Sequence, residues 1–403
     1  MLRIKCLCLA LIEVLFASTQ PASAACPAAN RYSFSFATAT AATLSYGGSS
    51  TYTATNGLGQ SQTFTVTFTT NGMTTTLLNT GTANVQLPAI NTLINDTGTT
   101  NRNLVIGGTF GARTASITGA TNVIATTLTF SIPIRDLTVQ INDIDMGANQ
   151  YRDWMHVAGV NGVSTYVPAI VSPFTTDNGA GAKTNASSTF SLGVATTPFS
   201  QTASEAIGTS TSGNNANNGT LTASFIQPVT SATLRYGNYP LQTGETVTGQ
   251  QAYGIQTVSF CPLPSLTVTK SSAPWSDPTN GTTNPKLIPG GDLIYSLTVT
   301  NANTSPVDLS ALTLFDVLPA TLTFANADID DAGPLTTNYD FTPGASGLTF
   351  SAANLAYSNT GGTTYAYTPA AGYDPLVNAL RFVPVGSMAA NSSFTLKFRA
   401  RIK

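Results

Sequence analysis

TLTFSIPIRDLTVQINDID, residues 127–145, alternates apolar and polar side chains on both sides of Pro133. This alternation is typical of β-strands with one buried face, because successive side chains of a strand point to opposite faces of the sheet. Proline has no backbone N–H to donate, so we predict two strands separated by Pro133. The same spacing recurs from Phe225 through Pro228 to Tyr236, and we interpret both copies as strand corners in one sandwich.

The remaining sequence also indicates an all-β protein. Only 8% of the residues are charged, and the apolar residues lie in short alternating segments such as TFTVTFTT and YGIQTVSF, separated by stretches rich in Thr, Ser, Asn and Gly. Helical surfaces normally need more Glu, Lys and Arg. The 403 residues exceed what one sandwich usually needs, and a proline-rich segment follows Cys261. We therefore predict two β-sandwich domains, a jelly-roll-like one at residues 25–262 and a second at residues 263–403.

The first 24 residues have the pattern of an export signal. Arg3 and Lys5 precede an apolar run, and small residues at 22–24 suit cleavage. Loss of this segment would leave 14 basic and 17 acidic side chains, a formal charge of −3. A chain with this charge lacks the excess of positive charge that favours binding to nucleic acid or an anionic membrane. No later segment reaches the roughly 18 apolar residues of a transmembrane helix. We predict an exported protein at the cell surface, outside the cell or in the periplasm.

Two cysteines follow the predicted signal, Cys26 and Cys261. An oxidising compartment favours a disulfide between them, which would tie the first strand of a domain to its last. The alternative is a lipid on Cys26, because the preceding SAA is similar to a lipoprotein cleavage site.

The second domain carries an ordered set of motifs. An opening strand ends in Lys270, Pro289-Gly290-Gly291-Asp292 precedes IYSLTVTN, and Asp316 precedes Leu318-Pro319. Over about 140 residues this resembles the conserved repeat domain, of unknown biochemical function, that occurs in many bacterial cell-surface proteins. The resemblance implies an immunoglobulin-like sandwich without catalysis.

The last strand of this domain alternates clearly. Apolar residues from Phe394 to Ile402 point one way, and Lys397, Arg399, Arg401 and Lys403 point the other. We predict that the cations lie on a solvated outer face and discourage edge pairing. A basic patch for an acidic partner is the alternative.

An acid-rich segment follows the opening stretch, and it also holds a tryptophan and the only histidine. Carboxylate and amide oxygens suit calcium. We predict a calcium site there, and name no other cofactor; its ligands would be Asp143, Asp145, Asn149 and Asp153. A second cluster, Asp328, Asp330 and Asp331, has the same character. Aspartates that bond their own backbone in turns would explain both clusters without an ion.

Catalytic motifs are sparse. A single histidine, His156, excludes a multi-histidine metal site, and no G-x-S-x-G motif accompanies it. Glu205 and Glu245 are the glutamates left for acid–base work, and the Asp143 region would be the site of a secreted hydrolase. An internal amide cross-link from Lys270 to Asn301, assisted by Asp316, is a further hypothesis for the second domain.

We interpret the chain as an exported structural or adhesive protein that is not an enzyme. Glycans or other cell-surface components are the predicted partners. The alternative function is carbohydrate binding, with calcium dependence, on exposed aromatic side chains. For that alternative Trp154 and Tyr151 are the candidate ligand-binding residues.

Overall fold

The computed structural model describes residues 26–79, 83–95, 100–147, 151–171, 205–208, 213–217, 219–240, 249–302, 305–331 and 336–403. The predicted signal segment, Asn149 and Glu245 lie outside these residues. The described residues form β-strands and short 3₁₀ turns without an α-helix, which confirms the all-β class. Within these ranges no helix is long and apolar enough to span a bilayer. The fold divides into a first unit, Ala25–Leu263, and a second unit, Pro264–Lys403.

The first unit is built from short strands around four long ones. Two 3₁₀ turns, Ala28–Asn30 and Phe36–Thr38, flank its first strand. Its strands are β1 (Tyr32–Ser35), β2 (Ala42–Thr43), β3 (Ser49–Thr55), β4 (Ser61–Asn71), β5 (Met73–Thr75), β6 (Leu77–Asn79), β7 (Asn84–Gln86), β8 (Ala89–Asn91), β9 (Asn103–Phe110), β10 (Val123–Asn142), β11 (Asp153–Asn161), β12 (Ser164–Tyr166), β13 (Ala169–Val171), β14 (Glu205–Ile207), β15 (Leu221–Ser224), β16 (Val229–Asn238) and β17 (Gly249–Pro262).

Most of these strands belong to one continuous antiparallel sheet. Its order is β12-β11-β16-β10-β4-β3-β1-β17-β9-β8-β2, with β10 paired again to β17. The first half of β10 pairs with β4 and β16, and its second half pairs with β15 and β17. The strands β10, β4, β3, β1 and β17 therefore close into a ring, where the sequence predicts two stacked sheets.

The reason for this difference is that β10 continues through Pro133. The register with β16 shifts between Thr129 and Ile134, so the proline lies at an irregularity where its missing N–H breaks no ladder bond. The carbonyl of Pro133 still accepts a hydrogen bond from the N–H of Leu263 at 3.0 Å. By contrast, Pro228 does lie between two strands, β15 and β16.

Aromatic side chains fill the ring. Phe130 of β10 packs edge-on against Phe260 of β17, with ring centroids 4.8 Å apart. Phe64 of β4 contacts both rings. These side chains are at most 5% exposed, and each contributes roughly 1.5–3 kcal/mol through burial.

The predicted disulfide is confirmed. Cys26 and Cys261, 235 residues apart in sequence, are bonded. Beside the disulfide, β1 pairs antiparallel with β17, and Tyr32 lies opposite Phe260. The bond therefore fastens the start of the first unit to its end.

The second unit has two sheets around one core. A six-stranded sheet has the order β18-β19-β26-β21-β24 with β22 on β26, and a three-stranded sheet has the order β20-β25-β23. A 3₁₀ turn, Ala352–Asn354, precedes β23. The strands are β18 (Leu266–Ser276), β19 (Asp292–Asn301), β20 (Leu314–Val317), β21 (Leu322–Asn326), β22 (Tyr339–Thr342), β23 (Leu355–Ser358), β24 (Gly372–Asp374), β25 (Ala379–Phe382) and β26 (Ser392–Ile402).

The faces of β26 follow the predicted alternation. Phe394, Leu396 and Phe398 are buried in the core shared by both sheets, and Phe398 stacks on Phe382 of the other sheet at 6.2 Å. The prediction of a solvated basic face needs correction, because three cations of β26 each bind an aspartate. The pairs are Lys397–Asp340 at 2.7 Å, Arg399–Asp331 at 2.7 Å and Arg401–Asp292 at 2.8 Å. Asp340 and Asp292 lie on the strands β22 and β19, so only the Arg399–Asp331 contact ties a loop to the sheet, and only 3% of the Arg399 side chain is exposed.

Candidate functional site

Three of the predicted calcium ligands meet at the end of β10 and the start of β11. Asp143 and Asp145 follow β10, Asp153 opens β11, and all three are buried. The N–H of Asp145 donates to Oδ2 of Asp153 at 3.0 Å, and the N–H of Asp153 donates to the carbonyl of Asp145 at 2.9 Å. Asp143 has φ 65°, a left-handed conformation that aspartate tolerates better than most residues. We call Asp143, Asp145 and Asp153 the acid cluster.

Neutral donors on neighbouring strands bind the acid cluster. The Tyr236 hydroxyl of β16 donates to Oδ1 of Asp153 at 2.6 Å, and Nε2 of Gln251 on β17 donates to the same oxygen at 2.7 Å. The Tyr151 hydroxyl donates to Oδ1 of Asp145 at 3.2 Å. The sequence pattern did not single out Gln251, because β17 lies about one hundred residues further along the chain.

Burial dominates the electrostatics of the acid cluster. The pKa of Asp143 is raised well above its ordinary value by desolvation, and the neighbouring Asp145 and Asp153 raise it further. Burial and Asp145 also raise the pKa of Asp153, against the lowering effect of its hydrogen bonds. Oδ1 of Asp143 is buried without a hydrogen-bond partner. A protonated Asp143 is the form that this environment favours.

The arrangement differs from that of a calcium site. Calcium takes six to eight oxygen ligands, with ionised carboxylates facing the ion. Both carboxylate oxygens of Asp153 instead accept hydrogen bonds. In the described ranges no three His, Cys, Asp or Glu side chains are placed to hold a metal ion together. The fourth predicted ligand, Asn149, is outside those ranges, and calcium binding stays a prediction.

In the second acidic cluster Asp328 and Asp330 stay in side-chain contact, while Asp331 binds residues outside the cluster. Asp331 accepts from Nη1 of Arg399 at 2.7 Å and from Nε1 of Trp275 at 3.2 Å. Oδ1 of Asp328 accepts from the backbone N–H of Asp330 at 3.3 Å, as in a turn. These bonds support the turn interpretation rather than a shared ion.

The predicted aromatic platform is largely buried. Trp154 is 8% exposed and packs edge-on against Tyr239 at 5.0 Å, and its Nε1 donates to Glu205 at 3.4 Å. The Tyr151 hydroxyl is held by Asp145. A sugar-binding platform needs an exposed ring face, and the burial of Trp154 contradicts the expected exposure. Ligand binding by Trp154 and Tyr151 stays a prediction. A nearby apolar cluster that includes Ile117 and Val123 explains the burial.

His156 does not meet the acid cluster. It lies three residues after Asp153 on β11, so the two side chains point to opposite faces of the strand. Its cross-strand neighbours are Glu205 and Arg235. Burial, and then Arg235, lower the pKa of His156. The predicted aspartates and the histidine therefore do not assemble a triad.

Lys270 of the second unit has a different partner from the one predicted. Its Nζ lies 2.6 Å from Oδ1 of Asp316, and the two side chains are 6% and 5% exposed. The same Nζ lies 4.4 Å from the centre of the Tyr295 ring. In the β18–β19 ladder Lys270 is opposite Leu297, four residues from Asn301, which is about 13 Å along a strand. The proposed Lys270–Asn301 cross-link is therefore wrong, and a buried ion pair connects the two sheets instead.

Comparisons with known proteins add no family. No family model matches the chain, and no curated protein matches it. Among solved structures, the chain was aligned with the crystal structure of the "Putative membrane anchored protein" from Corynebacterium diphtheriae. The alignment covers 88% of this chain and 89% of that one, at 9% sequence identity and a TM-score of 0.17. A TM-score this low does not indicate a shared fold.

A cavity that the sequence did not reveal lies on the face of the first unit's sheet opposite the aromatic core. Its volume is about 380 Å³, and its lining includes Thr69, Asn71, Thr118, Val123, Ala125 and Arg235. We call it the Arg235 cavity. Across the sheet His156, Arg235, Ala125 and Thr69 are in direct register, so their side chains share one face. Only long-range strand pairing brings these residues together, which is why local patterns do not show the cavity.

Proposed function

We propose that this chain is an exported bacterial surface or secreted protein with a structural or adhesive role and no catalytic activity. The disulfide between Cys26 and Cys261 is the observation that carries the proposal. Disulfides persist in oxidising compartments, outside the cytoplasm. The resemblance of the second unit to surface repeat domains agrees with this compartment.

The use of the acidic side chains supports a non-catalytic role. General acids and bases must reach a bound substrate. Asp143, Asp145 and Asp153 are 8%, 3% and 1% exposed, and Asp153 is held by Tyr236 and Gln251. In the second unit the buried Asp316 is neutralised by Lys270. These carboxylates lie inside the fold, away from a substrate.

Adhesion is tested with beads that carry the full chain. Beads coated with the secreted protein should bind to cells or polysaccharide films more than beads coated with a heat-denatured sample. Equal retention of native and denatured beads on every surface would contradict the adhesive role. Thiol labelling before and after reduction reports the compartment, since a secreted chain should expose Cys26 and Cys261 only after reduction.

Absence of catalysis is tested separately. The full chain is incubated with polysaccharides and with chromogenic glycosides and esters, beside an Asp143→Asn variant. Neither protein should release product above buffer. Turnover by the native chain that Asp143→Asn abolishes would replace the structural role with the hydrolase alternative.

A further inference from the structure

We propose that the Arg235 cavity binds a sugar that bears a carboxylate, such as a uronic acid residue of a polysaccharide. This inference deepens the adhesive role proposed above and rests on it. It assigns recognition to residues other than Trp154 and Tyr151, and it needs no metal ion.

The guanidinium of Arg235 is the anion-recognising group. Arg235 is half-buried, and no described residue accepts a hydrogen bond from it or pairs with it as an anion. Its neighbour on β11 is His156, and an imidazole is either neutral or cationic, so this neighbour supplies no negative charge. Arginine offers five N–H donors in a planar fork that matches a carboxylate. Because Arg235 is only half-buried, its N–H groups are open to the cavity, and a ligand carboxylate can bind them without displacing a described acceptor.

The floor of the cavity leaves room for a ring. Ala125 lies between Arg235 and Thr69 in the cross-strand row, and its small side chain separates the charge from the hydroxyl. The core residues Ile124 and Leu128 of the same strand point to the other face, so the cavity does not compete with the core. A ligand that spans this row would meet a cation at one end and a hydroxyl at the other.

The remaining lining suits a sugar rather than a purely apolar or purely ionic ligand. Thr69, Thr118 and the Asn71 amide offer donors and acceptors for ring hydroxyls, while Val123 and Ala125 offer apolar contact for ring C–H groups. The volume of about 380 Å³ lies within the usual range of ligand pockets, roughly 300–1,000 Å³. A neutral sugar would leave the guanidinium without its partner, so the charge selects acidic sugars.

Titration calorimetry with the full chain tests the site. The probes are trigalacturonate and sialyllactose, which carry the same carboxylate-on-polyol chemistry from two sources, with lactose and acetate as controls. Binding of either acidic sugar, with lactose and acetate at least about tenfold weaker, would support the proposal. Lack of binding by both acidic sugars would overturn it. Acetate binding as tightly as the sugars would reduce the cavity to a simple anion site, and lactose binding as tightly would show that the carboxylate is not recognised; either result would also overturn the proposal.

Matched variants locate the binding. Arg235→Gln should weaken affinity at least about tenfold, since a hydrogen bond to a charged group contributes about 1.5–3 kcal/mol. Lys286→Gln makes the same change in net charge on an exposed lysine of the second unit and should leave affinity unchanged. Equal affinity of Arg235→Gln and the native chain would overturn the assignment.

A second variant covers the case in which Arg235→Gln fails to fold. Ala125→Leu keeps the arginine and fills the floor of the cavity, so binding should be lost. Thr129→Leu adds an apolar side chain on the same face of β10 outside the lining and should bind normally. Bead adhesion separates the two proposals. If beads with the native chain do not adhere, the adhesive role is contradicted. If beads with Arg235→Gln adhere as well as native beads, only the proposal of sugar binding in the Arg235 cavity is contradicted.

Discussion

Buried carboxylates are stabilised in two different ways in the two units. In the first unit Asp153 of the acid cluster accepts hydrogen bonds from two neutral donors, the Tyr236 hydroxyl and the Gln251 amide. In the second unit Asp316 faces Lys270, and Asp292 is bound by both the Nε and the Nη2 of Arg401. In the first unit burial raises the pKa of Asp143 and of Asp153, which favours their protonated forms. In the second unit Asp316 and Asp292 are paired with cations, although burial still raises the pKa of Asp316 against the lowering effect of Lys270.

This difference has a physical consequence. At the acid cluster burial and the neighbouring carboxylates outweigh the neutral donors, so the protonated forms are favoured. A cation balances the charge itself, but it leaves a buried ion if its partner is removed. The first unit should therefore respond to pH, and the second to loss of a cation.

The largest expected effect is in the second unit. Lys270→Met leaves Asp316 buried and unpaired, and should lower the free energy of unfolding of this unit by about 3–5 kcal/mol. The double variant Lys270→Met, Asp316→Leu should recover most of that loss. Hydrogen exchange of β18, β19 and β26 peptides measures it, with the exposed Lys286→Met as control. A single-variant loss no larger than that of the control would show that the pair is not a buried charge pair.

Reduction of the disulfide should have the next largest effect and should separate the units. Release of a loop of this length lowers stability by about 2–4 kcal/mol, mainly through the unfolded state. The loss should appear in peptides of β1 and β17 and not in those of β26. A Cys26→Ser, Cys261→Ser variant should show the same loss without reductant. Equal losses in both units would mean that the bond does not act locally.

Asp143→Asn should stabilise the first unit by about 1 kcal/mol at pH 8, because it removes a buried acid repelled by Asp145 and Asp153. Asparagine also tolerates the left-handed backbone at this position. The gain should shrink as the pH falls towards the ordinary aspartate range, where the native side chain holds its proton. Urea unfolding at several pH values measures it. Two observations together would instead support the calcium prediction. Calcium would raise the stability of the native chain, and Asp143→Asn would be less stable than the native chain and would lose this response to calcium.

The smallest effects are shifts with pH in opposite directions. Raised pKa values mean that the native first unit binds more protons than its unfolded state, so its stability should fall as the pH rises from about 4 through the native pKa values. In the second unit the pKa of Asp277 is lowered to about 2 by backbone N–H donors, and the pKa values of Asp331 and Asp374 are also lowered. These three carboxylates should cost the second unit stability as the pH falls below about 4, whereas burial raises the pKa of Asp316, whose contribution falls as the pH rises. Calorimetry should show two transitions that separate or cross with pH, and parallel shifts would refute the contrast.

The all-β fold class could be predicted because the alternation of apolar and polar residues along a strand depends only on neighbouring residues. The burial of Phe394, Leu396 and Phe398 on β26 follows directly from their spacing. The continuity of β10 could not be predicted, because it depends on where Pro133 falls in the register with β16, a strand about one hundred residues away. Register is a non-local property that a proline alone does not determine.

The candidate site was predictable only in part. Asp143, Asp145 and Asp153 do come together, since they flank one connection between strands. The donors to Asp153 lie on β16 and β17, and Arg235 of β16 lies opposite Ala125 of β10. Both arrangements depend on pairing between strands that are distant in sequence. Trp154 was misjudged because its exposure is set by Ile117 and Tyr239, which no local pattern connects to β11.

The disulfide has a mechanical consequence. Tension that enters the chain before Cys26 and leaves it after Cys261 is carried by the covalent bond, so the residues between them cannot be extended by pulling. In the second unit β18 and β26 both run antiparallel to β19, and a pull on the start of β18 and the end of β26 shears both ladders along their length. Loading in shear engages many hydrogen bonds at once. A load on the ends of the first unit therefore meets a covalent bond, and a load on the ends of the second meets two ladders in shear.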